Sequence, residues 1–103
     1  MMPPRRRLAF SESAVSDLEG IRGWYAEQSA SEVGERLVGE VIAAVEQLTA
    51  FPESGRVVPE FESPWLRELV HPPFRIVYRV DTDSIRVVRV WRSERLMDTS
   101  LDA

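Results

Sequence analysis

The chain is 103 residues long, 44% hydrophobic and 29% charged, with a formal net charge of −4 and no cysteine. At that length one domain is the default, and burying roughly two-thirds of the unfolded surface is enough to hold a core. No apolar run approaches the roughly 20 residues of a membrane span, and the missing cysteines remove any disulfide framework or thiolate zinc site, which fits a reducing cytosol.

Residues 1–103 read as a single domain, with a core over about 6–95 and a polar tail over 96–103. Arg5-Arg6-Arg7 has the charge of a signal-peptide start. The apolar stretch that follows is only Leu8-Ala9-Phe10, too short for a secretory core. Arg6 to Phe10 predicts a short strand running into a helix cap at Ser11-Glu12-Ser13. Ala14, Leu18, Ile21 and Tyr25 then recur at three- and four-residue spacing, which predicts an amphipathic helix of about four turns. Gly20 and Gly23 weaken it, each costing about 1 kcal/mol against alanine. They leave two readings open: close packing of a second helix, or reliance on tertiary contacts. Trp24-Tyr25, in phase with Leu18 and Ile21, is expected in the core rather than in a binding patch.

Ser29-Ala30-Ser31-Glu32 fits a capping box, with Ser29 capping and Glu32 reaching back. A second helix follows on Leu37, Val38, Val41, Ile42, Ala44, Val45 and Leu48, and Phe51-Pro52 ends it, since the residue before proline avoids the helical region. The short joint makes the two helices an antiparallel hairpin. Pro52 to Arg56 is a turn and Pro59 to Pro64 an irregular loop. Trp65 to Val70 reads as a strand closed by His71-Pro72-Pro73. Phe74 to Val80 alternates as a half-buried strand, Asp81 to Ser84 turns, and Ile85 to Arg92 is a β-branched strand. The order is β-α-α-β-β-β, an α+β domain with a helical hairpin on one face of a small antiparallel sheet.

With Phe74, Ile76, Tyr78 and Val80 toward the helices, Arg75, Val77 and Arg79 face away. On the last strand the odd set Ile85, Val87, Arg89 and Trp91 is placed inward, because it is bulkier and carries one charge. Arg89 then needs a carboxylate from the helices. The open face reads Arg75, Val77, Arg79, Arg86, Val88, Val90 and Arg92. An apolar centre rimmed with guanidinium groups suits a partner offering apolar side chains and carboxylates or phosphates. The alternative is that these are ordinary solvated strand residues, with valine present for its β propensity.

All 13 basic residues are arginine. Lysine-free composition reads as coding bias, yet it excludes a lysine nucleophile or Schiff base. The charge is segregated. Residues 11–53 hold nine acids against Arg22 and Arg36, a balance of −7, whereas residues 65–95 hold seven arginines against four acids, a balance of +3. His71 is the only histidine, so no two-histidine metal site exists. Glu53, Glu60, Glu62 and Glu68 lie near one another in sequence, but no phosphate loop or nucleophile elbow occurs. The residues therefore describe an interaction module more readily than an enzyme, with no metal or cofactor.

The series Ser11-x-x-Ala14-x-x-Asp17-Leu18-x-x-Ile21, then Leu48-x-x-Phe51-Pro52-x-x-Gly55-Arg56, resembles the ParE/RelE toxin superfamily. Arg67-Glu68-Leu69, Phe74 to Val80 and Val87 to Arg92 continue the family's order, so that the likeness covers about residues 6–95. It implies the same β-α-α-β-β-β plan and a type II toxin held inactive in a hetero-oligomer with its cognate antitoxin. On the ParE side the antitoxin is ParD-like, with a ribbon-helix-helix start. The target is DNA gyrase, inhibited by binding, and DNA is met only through antitoxin or gyrase. On the RelE side the toxin is a ribosome-dependent endoribonuclease, for which Arg67, Arg75 and Arg92 would clamp the scissile phosphate. Arg92 stands where many relatives have histidine, and Ser93 and Thr99 where nuclease members have a basic residue and a tyrosine. Arginine is no general base at neutral pH, and Gly55-Arg56 with Arg67-Glu68-Leu69 looks more like ParE. The resemblance therefore implies a ParE-like toxin whose antitoxin covers Arg75, Val77, Arg79, Arg86, Val88, Val90 and Arg92.

Overall fold

The computed structural model describes residues 6–59, 61 and 63–92. Its elements are β1 (Arg7–Phe10), α1 (Glu12–Glu27), α2 (Ser31–Leu48), β2 (Arg56–Val57), β3 (Leu66–His71), β4 (Phe74–Val80) and β5 (Ser84–Arg92). The expected α+β order is present, with the two-residue β2 added where the segment read as a turn ends. The sheet order is β1-β5-β4-β3-β2. It is mixed, because β1 joins β5 in parallel while β5, β4, β3 and β2 pair antiparallel. The tail residues 93–103, including Ser93 and Thr99, lie outside the described residues.

Both helices pack on one sheet face. Ala14 and Leu18 from α1 and Leu37, Val38, Val41, Val45 and Leu48 from α2 meet Phe74, Ile76 and Tyr78 of β4 and Ile85, Val87 and Val90 of β5. The helical stripe read from spacing is thus the buried one, and its non-directional burial holds the layers together. Trp24 departs from expectation: it is 51% exposed, and only Tyr25 packs against the core. The glycine that lets the helices close is Gly34, where a Cβ would lie 2.9 Å from Tyr25 Cβ; at Gly20 and Gly23 that space is open.

Ser11 caps α1 through its side chain, which accepts from the Ala14 N–H at 3.0 Å. The predicted capping box at Ser29 does not form. Ala30 occupies the cap position of α2 without a side-chain bond, and Ser29 takes φ 57°. The reason is the sharp reversal between the helices. Ser29 and Ala30 donate backward to the carbonyls of Ala26 and Tyr25, closing α1 as a Schellman motif with serine in the left-handed position. Ser29→Gly is therefore expected to raise stability by about 1 kcal/mol, read as a higher urea midpoint at unchanged slope.

Candidate functional site

The sheet's open face follows from register. One row runs Arg56–Glu68–Val77–Arg89 across β2, β3, β4 and β5, and a second runs Val70–Arg75–Trp91. A third, toward the other end, runs Leu66–Arg79–Arg86–Ala9. The expected open-face positions Arg75, Val77, Arg79 and Arg86 are therefore on one face. Val77 is buried among its neighbours.

The far half of β5 corrects the expected parity. Tyr78 pairs with Val87 but Val77 pairs with Arg89, so Val88 is an extra, half-buried residue at a β-bulge. Beyond it every side chain changes sides. Val90 is core, and Arg92 pairs with Phe74 on the helical side, whereas Arg89 and Trp91 turn to the open face. Arg89 still finds the helical carboxylate it needs. Asp17 of α1 accepts from Arg89 Nε at 2.9 Å and Nη2 at 3.0 Å, which holds the guanidinium above its ordinary pKa. The same carboxylate accepts from the Val90 N–H at 2.8 Å, and Ser11 Oγ donates to the Val88 carbonyl at 2.9 Å. The Ser11 cap and Asp17 of α1 thus continue, along β5, the pairing that β1 begins. The spacing Ser11-x-x-Ala14-x-x-Asp17 acquires a structural meaning, with the fully buried Ala14 permitting the close approach.

Between α1 and the end of β5 lies a groove of about 700 Å³ lined by Asp17, Ile21, Trp24, Tyr25, Trp91 and Arg92, among others. Trp24 meets Tyr25 edge-to-face at 4.9 Å. Arg92 lies 5.5 Å from the Trp24 ring centre and donates to Tyr25 Oη at 3.1 Å; Arg89 lies 5.0 Å from Trp91. Guanidinium groups held over aromatic rings keep charge beside apolar surface, a combination suited to a protein partner. Sequence reading missed Trp24 because it was grouped with Tyr25, whereas one residue turns a helix by about 100° and puts Trp24 on the flank of the Leu18, Ile21 and Tyr25 stripe.

At the opposite sheet edge, Tyr78 Oη donates to the Pro52 carbonyl at 2.7 Å and accepts from the Gly55 N–H at 2.9 Å, while Arg67 donates to the Gly55 carbonyl at 2.8 Å. Burial pushes the Tyr78 hydroxyl pKa up. The Phe51-Pro52-x-x-Gly55-Arg56 pattern therefore locks a turn, and Arg67 is one of its struts. The turn delivers Arg56 to Glu68. That carboxylate is fully buried, and it takes Arg56 on Oε1 at 2.6 Å and Arg75 on Oε2.

The three arginines of the nuclease reading do not converge. Arg75 is on the open face, and Arg67 and Arg92 are on the helical side. The latter two pair with Tyr78 and Phe74, four residues apart on β4 and on opposite flanks of it, a separation of about 16 Å. His71 faces α2, with Nε2 3.4 Å from a Glu40 oxygen; Arg36 first, then His71, holds that carboxyl below its ordinary pKa. Of the four glutamates near one another in sequence, Glu60 and Glu62 lie outside the described residues. Among the described residues no group of three or more His, Asp or Glu gathers for a metal ion, and no helix is long and apolar enough to cross a membrane.

Comparison with curated proteins found no match. The toxin chain of a chromosomal ParDE system from Pseudomonas aeruginosa superimposes with a TM-score of 0.74 at 26% identity, covering 89% of this chain and 100% of that one. A chain of the Mycobacterium tuberculosis RelBE2 toxin–antitoxin complex gives 0.65 at 18% identity, over 85% and 98% of the two chains. The isolated Escherichia coli RelE toxin gives 0.55 at 20% identity, over 89% and 88%. The last two show a shared fold. The family model for the ParE toxin of the type II toxin–antitoxin system parDE matches residues 8–97. The chain thus belongs to the ParE toxin family.

Proposed function

We propose that this chain is a toxin that poisons DNA gyrase by binding, in the cytoplasm, and that a ParD-like antitoxin keeps it inactive. The observation that carries the choice of target is the dispersal of Arg67, Arg75 and Arg92 over two faces of the sheet. Cleaving a phosphodiester needs charge-stabilising and proton-moving groups within hydrogen-bond reach of one phosphate. Here the candidates are too far apart, and none of the three is a base at neutral pH. Similarity over the full length of a ParDE toxin chain supports the same reading.

The antitoxin is proposed to run along β5, from Arg86 near its start to the groove at its end. It meets exposed Arg79 and Arg86 on the open face and lays an apolar side chain beside Trp24 in the groove, as extended or helical recognition segments do. The test uses toxin freshly released from its complex in a plasmid supercoiling assay. Gyrase is expected to stop supercoiling and to resume when antitoxin is added. Trp24→Asp toxin is expected to inhibit gyrase still but to need at least tenfold more antitoxin for rescue. Full supercoiling at excess wild-type toxin, with mRNA cut in a translating extract, would overturn the gyrase reading in favour of the ribosome.

A further inference from the structure

We infer that Glu68 stands in for an external anion on the open sheet face, so that Arg56 and Arg75 form a phosphate-type site which the chain fills from within. Three observations carry this. The Glu68 side chain has no exposed surface although it lies on the face turned away from the helices, and both its oxygens are taken by guanidinium groups. Arg75 is itself only 13% exposed, so its donors are aimed at Glu68 and held there. Other arginines along the sheet also have carboxylate partners: Arg89 meets Asp17 at 2.9 Å in a largely covered pair, and Arg79 meets Asp81 and Arg7 meets Asp83 at the surface, both at 3.0 Å. Arg79 first among its neighbours, with Arg86 adding its charge, holds the Asp81 carboxyl below its ordinary pKa.

A row of arginines on an open sheet is by charge alone a footing for a polyanion. Arg56 is itself 66% exposed, but an external phosphate could take the covered Arg75 donors, or those of Arg56 that meet Glu68, only by leaving Glu68 buried and short of a partner, which is costly in a low-dielectric site. The resident carboxylate also needs no association from solution, whereas a phosphate at the surface is screened by salt. Glu68 is thus a specificity-determining residue. It excludes nucleic-acid phosphates from a face otherwise built for them and leaves that face to partners that bring apolar contact. This goes beyond the proposed target, since it concerns the ligand class of the sheet face.

The experiment measures anisotropy of a fluorescein-labelled single-stranded RNA 12-mer with wild-type toxin and with Glu68→Gln, at 50 and 200 mM salt. Glu68→Gln is expected to bind at least tenfold tighter than wild type. Its log–log salt slope should steepen by about 0.7 to 1.4, as one or two guanidinium groups reach phosphate. Adding Arg56→Gln to Glu68→Gln should return most of the gain. Equal affinity of folded wild type and folded Glu68→Gln would overturn the inference. A melting measurement covers the case in which Glu68→Gln does not fold: 10 mM pyrophosphate should leave the wild-type midpoint unmoved, and a rise of several degrees would show a face already open to anions. A gyrase assay on the same preparation separates the two proposals, because a wild type that binds RNA tightly and still blocks supercoiling refutes only the role given to Glu68.

Discussion

Gly55→Ala is expected to lower stability by about 3 kcal/mol, a midpoint loss of about 15 °C for a domain of this size. A Cβ at this position would lie 2.5 Å from the Glu68 carbonyl oxygen and 2.7 Å from Tyr78 Oη. Neither neighbour is free to yield. The carbonyl belongs to a strand paired on both sides, and the hydroxyl is held between the Pro52 carbonyl and the Gly55 N–H. Relieving the overlap means moving the turn, which breaks the Tyr78 bonds and withdraws Arg56 from Glu68. The loss should exceed ordinary overpacking for that reason. Urea unfolding checks it, with Gly20→Ala as the contrast. That exposed helical position has open space around it, so alanine should stabilise by about 1 kcal/mol.

Asp17→Ala is the second large effect, an expected loss of about 2 kcal/mol. The substitution removes two charge-assisted bonds to Arg89 and the acceptor for the Val90 N–H. Arg89 loses its carboxylate while remaining largely covered, its side chain being 19% exposed. The exposed end of β5 also becomes an unguarded strand edge, which favours pairing with another chain. Asp17→Asn keeps an oxygen and should lose about half as much. Thermal melting of the two variants separates these outcomes, and equal midpoints for Asp17→Ala and wild type would show that the contacts carry no net stability.

The helices and strands were legible because burial imposes a period of 3.6 on Leu37, Val41, Val45 and Leu48 and a period of 2 on Phe74, Ile76, Tyr78 and Val80. Likewise, the need of Arg89 for a helical carboxylate follows from the cost of an unpaired charge, and Asp17 meets it. The bulge was not legible. Val87, Val88 and Val90 offer the same side chain at both parities, so nothing in the residue types marks where the strand slips by one. That slip moved Val90 and Arg92 to the helical side and Arg89 and Trp91 to the other. Ser29 misled for a related reason, since a serine before a glutamate fits a helix start as well as a helix end. Gly55 stood out in the sequence only as part of a pattern. Its task depends on Tyr78, 23 positions away.

The placement of β1 against β5 has a consequence for the order of assembly. The hairpin of α1 and α2 closes through near neighbours and can form early, whereas the pairing of Leu8 with Ile85, and of Asp17 with Arg89 72 positions on, closes nearly the whole chain. Such distant pairings wait on slow loop closure and, during synthesis, on the last strand leaving the ribosome. The Trp24 groove is half helix and half β5. A nascent or truncated chain ending before β5 therefore holds an intact hairpin but no groove, and the surface proposed for the antitoxin comes into being only once the last strand has joined.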